Sequence, residues 1–340
     1  MIGYLDMTQE SVIAWPLAML LLVAGVAGLI WGGNLLIDGA VAIVRRLGMP
    51  SLLIGLTIVA FGTSAPELAL NTIAAANGET GLAFGNVIGS NIANIGLVLG
   101  LTACVAAIPM APKLFLPGEF PWLLIVTLIA MALPWIGSGV DGGPGYARWA
   151  GLVLLGLSPL TAWLWYRDSQ KCSETSSNTE QEVEALPSRG LGMAWLLLIG
   201  GLILLIGGGK ATEVGAVSLA RWIGISEAVI GLSIVALATS LPEVVTALVA
   251  VRRGEPDLAI GTVIGSNVFN LALVLGTTSI ISPVAIPSQN GWIDLAVMGS
   301  MTVAIMFMAM IRKRLTRIEG IILLLAWSAT IVMGFVRELS

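Results

Sequence analysis

Residues 55–100 read GLTIVAFGTSAPELALNTIAAANGETGLAFGNVIGSNIANIGLVLG, and residues 231–276 read GLSIVALATSLPEVVTALVAVRRGEPDLAIGTVIGSNVFNLALVLG. The segments align at an offset of 176 without a gap, with 25 identities in 46 positions. A weaker match extends upstream, where GG at 32–33 and GAV at 39–41 answer GG at 208–209 and GAV at 215–217. The chain is an internal duplication, and its shared residues include charged and polar side chains inside long apolar runs.

Those runs set the class. Of 340 residues, 57% are hydrophobic and 11% are charged, with a mean hydropathy of +0.96. A soluble domain carries about 25% charged residues. Too little polar surface exists to cover a water-soluble globule, so an integral membrane protein is expected. Stretches such as 191–206 (LGMAWLLLIGGLILLI) and 321–336 (IILLLAWSATIVMGFV) lack the period-2 alternation of a barrel strand, which predicts an all-α membrane fold. The chain has no histidine, which removes imidazole as metal ligand, base or pH sensor. Cys104 in an apolar span and Cys172 in a polar loop do not suggest a disulfide. The net charge of −4 is spread over loops, and the acidic opening MIGYLDMTQE does not resemble a cleavable signal peptide.

Hydropathy predicts ten helices, at about 13–46, 51–77, 80–108, 119–137, 146–166, 191–223, 226–251, 257–281, 289–311 and 318–336. The first and sixth are long enough to tilt or to extend beyond the bilayer. Ten spans put both termini on one side. Twelve basic residues fall on the other: Arg45, Arg46, Lys113, Arg167, Lys171, Arg189, Arg252, Arg253, Arg312, Lys313, Arg314 and Arg317. Arg148, Arg221 and Arg337 fall on the terminal side, and Lys210 within a span. The positive-inside rule then predicts cytoplasmic loops on the basic side and both termini outside. Residues 168–190, rich in Ser, Thr and Glu, read as a cytoplasmic linker between halves 1–167 and 191–340. Five spans separate equivalent points of the repeat. Five is odd, so the second copy enters the membrane from the opposite face, an arrangement used by alternating-access transporters with a midplane site.

Each copy carries T-S-x-P-E within an apolar helix: Thr63, Ser64, Pro66 and Glu67, then Thr239, Ser240, Pro242 and Glu243. A proline inside a helix displaces the carbonyl four residues back. Here those carbonyls belong to Gly62 and Ala238, with distortion expected also around Ala60 and Ala236. An isolated charge at the middle of a span costs at least about 2.5–3.5 kcal/mol on insertion scales. Two glutamates at repeat-related positions, with no symmetric Lys or Arg, imply a bound cation as their shared partner. Each copy then carries G-x-V-I-G-S-N-x-x-N, which places Ser90 and Asn94, and likewise Ser266 and Asn270, four apart on one helix face. For Asn91 and Asn267, interhelical hydrogen bonding and ion contact are both open readings. The inventory is carboxylate, amide, hydroxyl and backbone oxygen. That set suits Ca2+ and Na+, and a −2 site is neutralised by one Ca2+ or two monovalent cations. The spacing of Lys210 and Glu213 suggests a pair. Asp38, Asp141 and Asp294 read as interface or loop residues.

The paired segments GTSAPEL…GNVIGSNIANIG and ATSLPEV…GTVIGSNVFNLAL resemble the alpha repeats of the cation/calcium exchanger superfamily, within it the prokaryotic sodium/calcium exchanger-type antiporters. The resemblance implies ten helices in two inverted five-helix repeats, with the first and sixth sliding past the rest. It implies Ca2+ ligands at Glu67 and Glu243 helped by carbonyls near Thr63 and Thr239. Flanking Na+ positions would use Ser64, Ser90, Ser240, Ser266 and the backbone oxygens of Ala60 and Ala236. Such relatives often carry aspartate at the position of Asn270, so asparagine here removes a carboxylate and leaves Na+, H+ or K+ open as the coupling ion. Ala238, where the first half has Gly62, is a second departure. Na+-driven Ca2+ antiport leads, ahead of H+/Ca2+ antiport and a cation channel. No catalytic constellation, cofactor, nucleic acid or obligate protein partner is expected, and the lipid bilayer of a prokaryotic plasma membrane is the expected setting.

Overall fold

The computed structural model describes residues 13–110, 118–136, 140, 142–175, 190–224, 236–287 and 291–339. Helices dominate them. The first half has α1 (Trp15–Leu47), α2 (Ser51–Thr63), α3 (Ala65–Ala76), α4 (Thr80–Val105), α5 (Glu119–Ala132) and α6 (Arg148–Thr175). The second has α7 (Leu191–Trp222), α8 (Ala236–Thr239), α9 (Leu241–Arg252), α10 (Pro256–Ile281), α11 (Gly291–Arg312) and α12 (Arg317–Leu339). Four two-residue strands accompany them: β1 (Ile108–Pro109), β2 (Gly145–Tyr146), β3 (Val284–Ala285) and β4 (Arg314–Leu315).

Among the described residues, seven helices are long and apolar enough to cross a membrane, or eight if the bent pair α2–α3 is one span. The apolar segment Glu119–Trp135 is shorter, and residues 225–235, where the expected seventh span begins, lie outside the described residues. The end of α6 also differs from expectation. It runs on through Thr175 into the stretch read as a linker from residue 168, while residues 176–189 lie outside the described residues. Arg148–Asp168 supplies the apolar part of that helix, and the polar tail extends it beyond any hydrocarbon.

Small residues decide how the two longest helices meet. Ala18, Gly25, Gly32 and Gly39 recur every seven residues on α1, and Ala194, Gly201, Gly208 and Gly215 do the same on α7. The helices run antiparallel along this seam: Gly25 meets Gly208, Gly32 meets Gly201, Gly39 meets Ala194 and Gly215 meets Ala18. A methyl group added at Gly25, Gly32 or Gly208 would lie within 2.8 Å of backbone atoms of the other helix. Without a hydrophobic drive between helices in lipid, such close backbone approach supplies the van der Waals contact that holds a pair together. Each seam residue of α7 sits 176 positions after one of α1, so the duplicated halves face one another through the same surface.

The halves also interlock at their ends. Strand β1 pairs antiparallel with β4, Ile108 opposite Leu315, and β2 pairs with β3, Tyr146 opposite Val284. Strands β1 and β3 are repeat equivalents, so each half lends one strand to the other. Helices follow the same exchange. A methyl at Gly100 of α4 would lie 3.1 Å from the Gly320 carbonyl of α12, and one at Gly276 of α10 would lie 3.1 Å from the Gly151 carbonyl of α6. Helices α4 and α10 are the most deeply buried of the candidate spans and form the centre against which both broken helices pack. Each carries a π-helical turn, Asn94–Leu99 and Asn270–Val274, a distortion often found at functional positions.

The seam yields a stability prediction. Gly32→Val forces side-chain atoms into the α7 backbone and lowers unfolding stability by about 1–3 kcal/mol. Gly200→Ala, with nothing within 4 Å of the added carbon, is close to neutral. Thermal unfolding in detergent distinguishes them, and equal melting temperatures would refute the seam.

Candidate cation site

Two helix breaks build the site. Helix α2 ends at Thr63 and α3 begins at Ala65, bent by 41°. The intervening Ser64 has φ −82° and ψ 0°, and its counterpart Ser240, between α8 and α9, has φ −88° and ψ −1°. The prolines do not sit inside continuous helices, as the sequence reading assumed. Pro66 and Pro242 occupy the first turn of the new helices α3 and α9, where a missing N–H leaves no intrahelical bond unmade. The expected distortion around Ala60 lies on its N-terminal side, where Gly55–Val59 form a π-helical turn and the Ala60 N–H donates to Gly55 O, five residues back. The Ala60 carbonyl accepts from the Ser64 N–H at 3.0 Å and from the Thr63 hydroxyl at 3.3 Å. In the second half the Ser240 N–H turns instead to Leu237 O at 3.1 Å, three residues back rather than four. Ala236 is the first residue of α8.

The break positions the carboxyl groups. Glu67 and Glu243 fall in the first turns of α3 and α9, where the positive end of the helix dipole favours an anion. Each is 1% exposed, and the two lie within Coulombic reach of one another. The Thr63 hydroxyl stands 3.3 Å from Ser266 Oγ and faces the Glu243 carboxyl group, which ties the break of the first half to α10 of the second. Ser64, Ser90, Thr239, Ser240, Ser266, Asn94 and Asn270 are all buried.

Many of these oxygens have no donor among the described residues. Glu67 Oε2, both carboxylate oxygens of Glu243, Ser64 Oγ, Ser240 Oγ, Asn267 Oδ1 and the whole side-chain amides of Asn94 and Asn270 are buried without a hydrogen-bond partner among the described residues. A buried polar atom left unmatched costs about 1–3 kcal/mol, so a cluster of them is not a structural end in itself. The donor set fits a hard cation, with carboxylate, amide and hydroxyl oxygen in one place. Among the described residues no group of three His, Cys, Asp or Glu side chains gathers, so the acidic part of the site is the pair alone. Asn91 parts from Asn267: its Nδ2 donates to Val87 O at 2.8 Å within its own helix.

The sequence reading missed Asn71. It is buried one turn after Glu67, donates Nδ2 to Glu67 O and to Asn86 Oδ1, each at 2.7 Å, and leaves its own Oδ1 without a partner. The corresponding positions of the second half are Ala247 and Thr262, so no repeat signal marked it. The expected ion pair between Lys210 and Glu213 forms at 2.8 Å. It lines a cavity of about 430 Å³ that reaches inward to Pro66, Thr239 and Pro242. A smaller cavity of about 100 Å³ reaches Ser90 and Asn86. Asp294 lies in the first turn of α11, and Asp141 lies outside the described residues.

Known proteins share this arrangement. Residues 17–165 and 193–336 match the sodium/calcium exchanger protein family. The protein CaxA of Alkalimonas amylolytica is 37% identical over 314 residues, spanning 91% of this chain and 96% of that protein. The sodium/calcium exchanger MaX1 of Methanosarcina acetivorans is 27% identical over 345 residues, spanning 93% and 98%. Solved structures of the sodium-calcium exchanger NCX_Mj superpose with a TM-score of 0.79 at 28% identity, covering 94% of this chain and 99% of that one. The chain therefore belongs to the sodium/calcium exchanger family of integral membrane antiporters.

Proposed function

We propose that the chain exchanges Ca2+ for Na+ at a single central site, with the Na+ gradient driving Ca2+ out of the cell. The observation that carries this reading is the pair of buried carboxyl groups, Glu67 and Glu243, set at matching helix breaks among oxygens that have no donor among the described residues. Two carboxylates supply −2. One Ca2+ neutralises that charge, and so do two Na+, so the ions compete for the same space. Glu67, Glu243 and carbonyls near Thr63 and Thr239 hold Ca2+. Ser64, Ser90, Ser240, Ser266 and the backbone at Ala60 and Ala236 hold Na+, with Asn94, Asn270, Asn91 and Asn267 completing the polar lining. Of these, Ala60 O already accepts two hydrogen bonds and must yield one of them to reach an ion.

The transport cycle follows from a two-half design. We place ten spans in two inverted five-helix halves, 1–167 and 191–340, joined by the 168–190 segment. The antiparallel α1–α7 seam and the exchanged strands support this inversion. Twelve basic residues on one side put that side in the cytoplasm and both termini outside. The cavity at Asn77, Glu79, Lys210 and Glu213 then opens outward.

Three outcomes test the reading. Radioactive Ca2+ enters proteoliposomes that contain Na+, and not those that contain K+ or choline. Uptake driven by internal acid and indifferent to Na+ would make the protein proton-coupled, with the glutamates as proton carriers. Glu67→Gln and Glu243→Gln each abolish uptake, and each loses the Ca2+-dependent rise in melting temperature, which for wild type at a hundredfold excess over Kd corresponds to about 2.7 kcal/mol. Normal exchange by either folded variant would refute the central site. Asn270→Asp restores a third carboxylate and alters the Na+ or K+ dependence of uptake. An unchanged ion profile would remove this position from coupling.

A further inference from the structure

Duplication makes each side of the molecule a control for the other, and the two sides differ. On one side the 430 Å³ cavity separates α3 from α7, with Ile73, Ala74 and Asn77 across from Ile206, Gly209 and Lys210. The corresponding elements on the other side, α9 and α1, are shut against each other. A methyl at Gly33 would lie 2.8 Å from Val245 Cγ1 and 3.3 Å from Val249 Cγ2. The three atoms nearest a methyl at Gly209, the counterpart of Gly33, belong to Pro242 and the Ala238 carbonyl at 3.7–3.9 Å, and none belongs to Ile73, the counterpart of Val249.

One turn past Val249, Arg253 crosses to α1. Its Nη1 donates to Asp38 Oδ1 at 2.9 Å and its Nη2 to Asn34 Oδ1 at 2.8 Å. Asn34 is itself fixed by donating Nδ2 to Ile30 O at 2.8 Å. A guanidinium fork spanning two acceptors gives direction as well as charge. The cavity side lacks this arginine fork. The counterpart of Arg253 is Asn77, that of Asn34 is Lys210, and that of Asp38 is Val214.

We infer that Arg253, Asp38 and Asn34 form a one-sided latch that holds α1 against α9 and biases the transporter toward the state open at the cavity face. The inference rests on the antiport reading, in which α9 and α1 must part while α3 and α7 close. The latch breaks and re-forms once per cycle. An exposed ion pair shifts a two-state population by up to about fivefold.

Accessibility of introduced thiols tests it, in a Cys104→Ala, Cys172→Ser background. Ile73→Cys reports the cavity face and Val249→Cys the latched face to a membrane-impermeant maleimide added on the corresponding side. With the latch intact, the thiol at 73 reacts and that at 249 is protected. Arg253→Gln raises the rate at 249 by up to about fivefold and slows the rate at 73. Asp38→Asn does the same, which covers a failure of the arginine variant to fold. The exchange Asp38→Arg with Arg253→Asp restores protection. Unchanged rates in Asp38→Asn, in vesicles that perform Ca2+ exchange, would overturn the latch. Shifted rates in vesicles that move no Ca2+ under any gradient would overturn the antiport reading and leave the latch standing.

Discussion

Two carboxyl groups buried within reach of each other in an apolar helical bundle need a cation or a proton to balance them, and much of the structure can be read from that constraint. Glu67 and Glu243 repel one another and have no lysine or arginine between them. Isolated, each would cost at least about 2.5–3.5 kcal/mol at membrane depth. The protein meets this by ending a helix at each site, so that each glutamate falls in a first turn at the positive end of a helix dipole. It also surrounds the pair with amide and hydroxyl oxygens that lack donors among the described residues. Under the proposed function, an ion completes the site and leaves it only against a substitute of equal charge. On the proposed reading, exchange follows from electrostatics at a place that tolerates neither an empty −2 site nor an excess of positive charge.

A second constraint sets how the site is reached. The duplication supplies two copies of each element around the site, and the glycine seam joins α1 to α7 so closely that the two helices are expected to move together. The breaks, by contrast, lie beside the cavity, and the helices that follow them pack against the π-turns of α4 and α10, so the rigid and adjustable parts are separated in the sequence. Where the halves are identical the chemistry is shared. Where they differ, as at Asn77 against Arg253, equivalent positions of the two copies make different contacts.

The repeat made the centre legible. Thr63, Ser64, Glu67, Ser90, Asn94 and their partners at 239, 240, 243, 266 and 270 were marked by recurrence, and the fold buries all of them. Recurrence also hid things. Asn71 and Arg253 act at positions where the copies diverge, so no echo pointed to them. The prolines misled because a proline in a long apolar run looks like an interior kink, whereas Ser64 and Ser240 stop the helix first and leave the proline in a harmless first turn. The seven-residue spacing of small residues on α1 and α7 was present in the sequence, but only the antiparallel pairing of the helices gives it meaning.

The most direct test of a shared −2 site is the amount of Ca2+ bound per purified chain as Na+ rises at fixed ionic strength, with choline as the balancing ion. The account predicts one Ca2+ per chain, displaced completely by Na+ with a Hill coefficient above one, because two monovalent charges replace one divalent ion. Ca2+ that stays bound at saturating Na+ would contradict it.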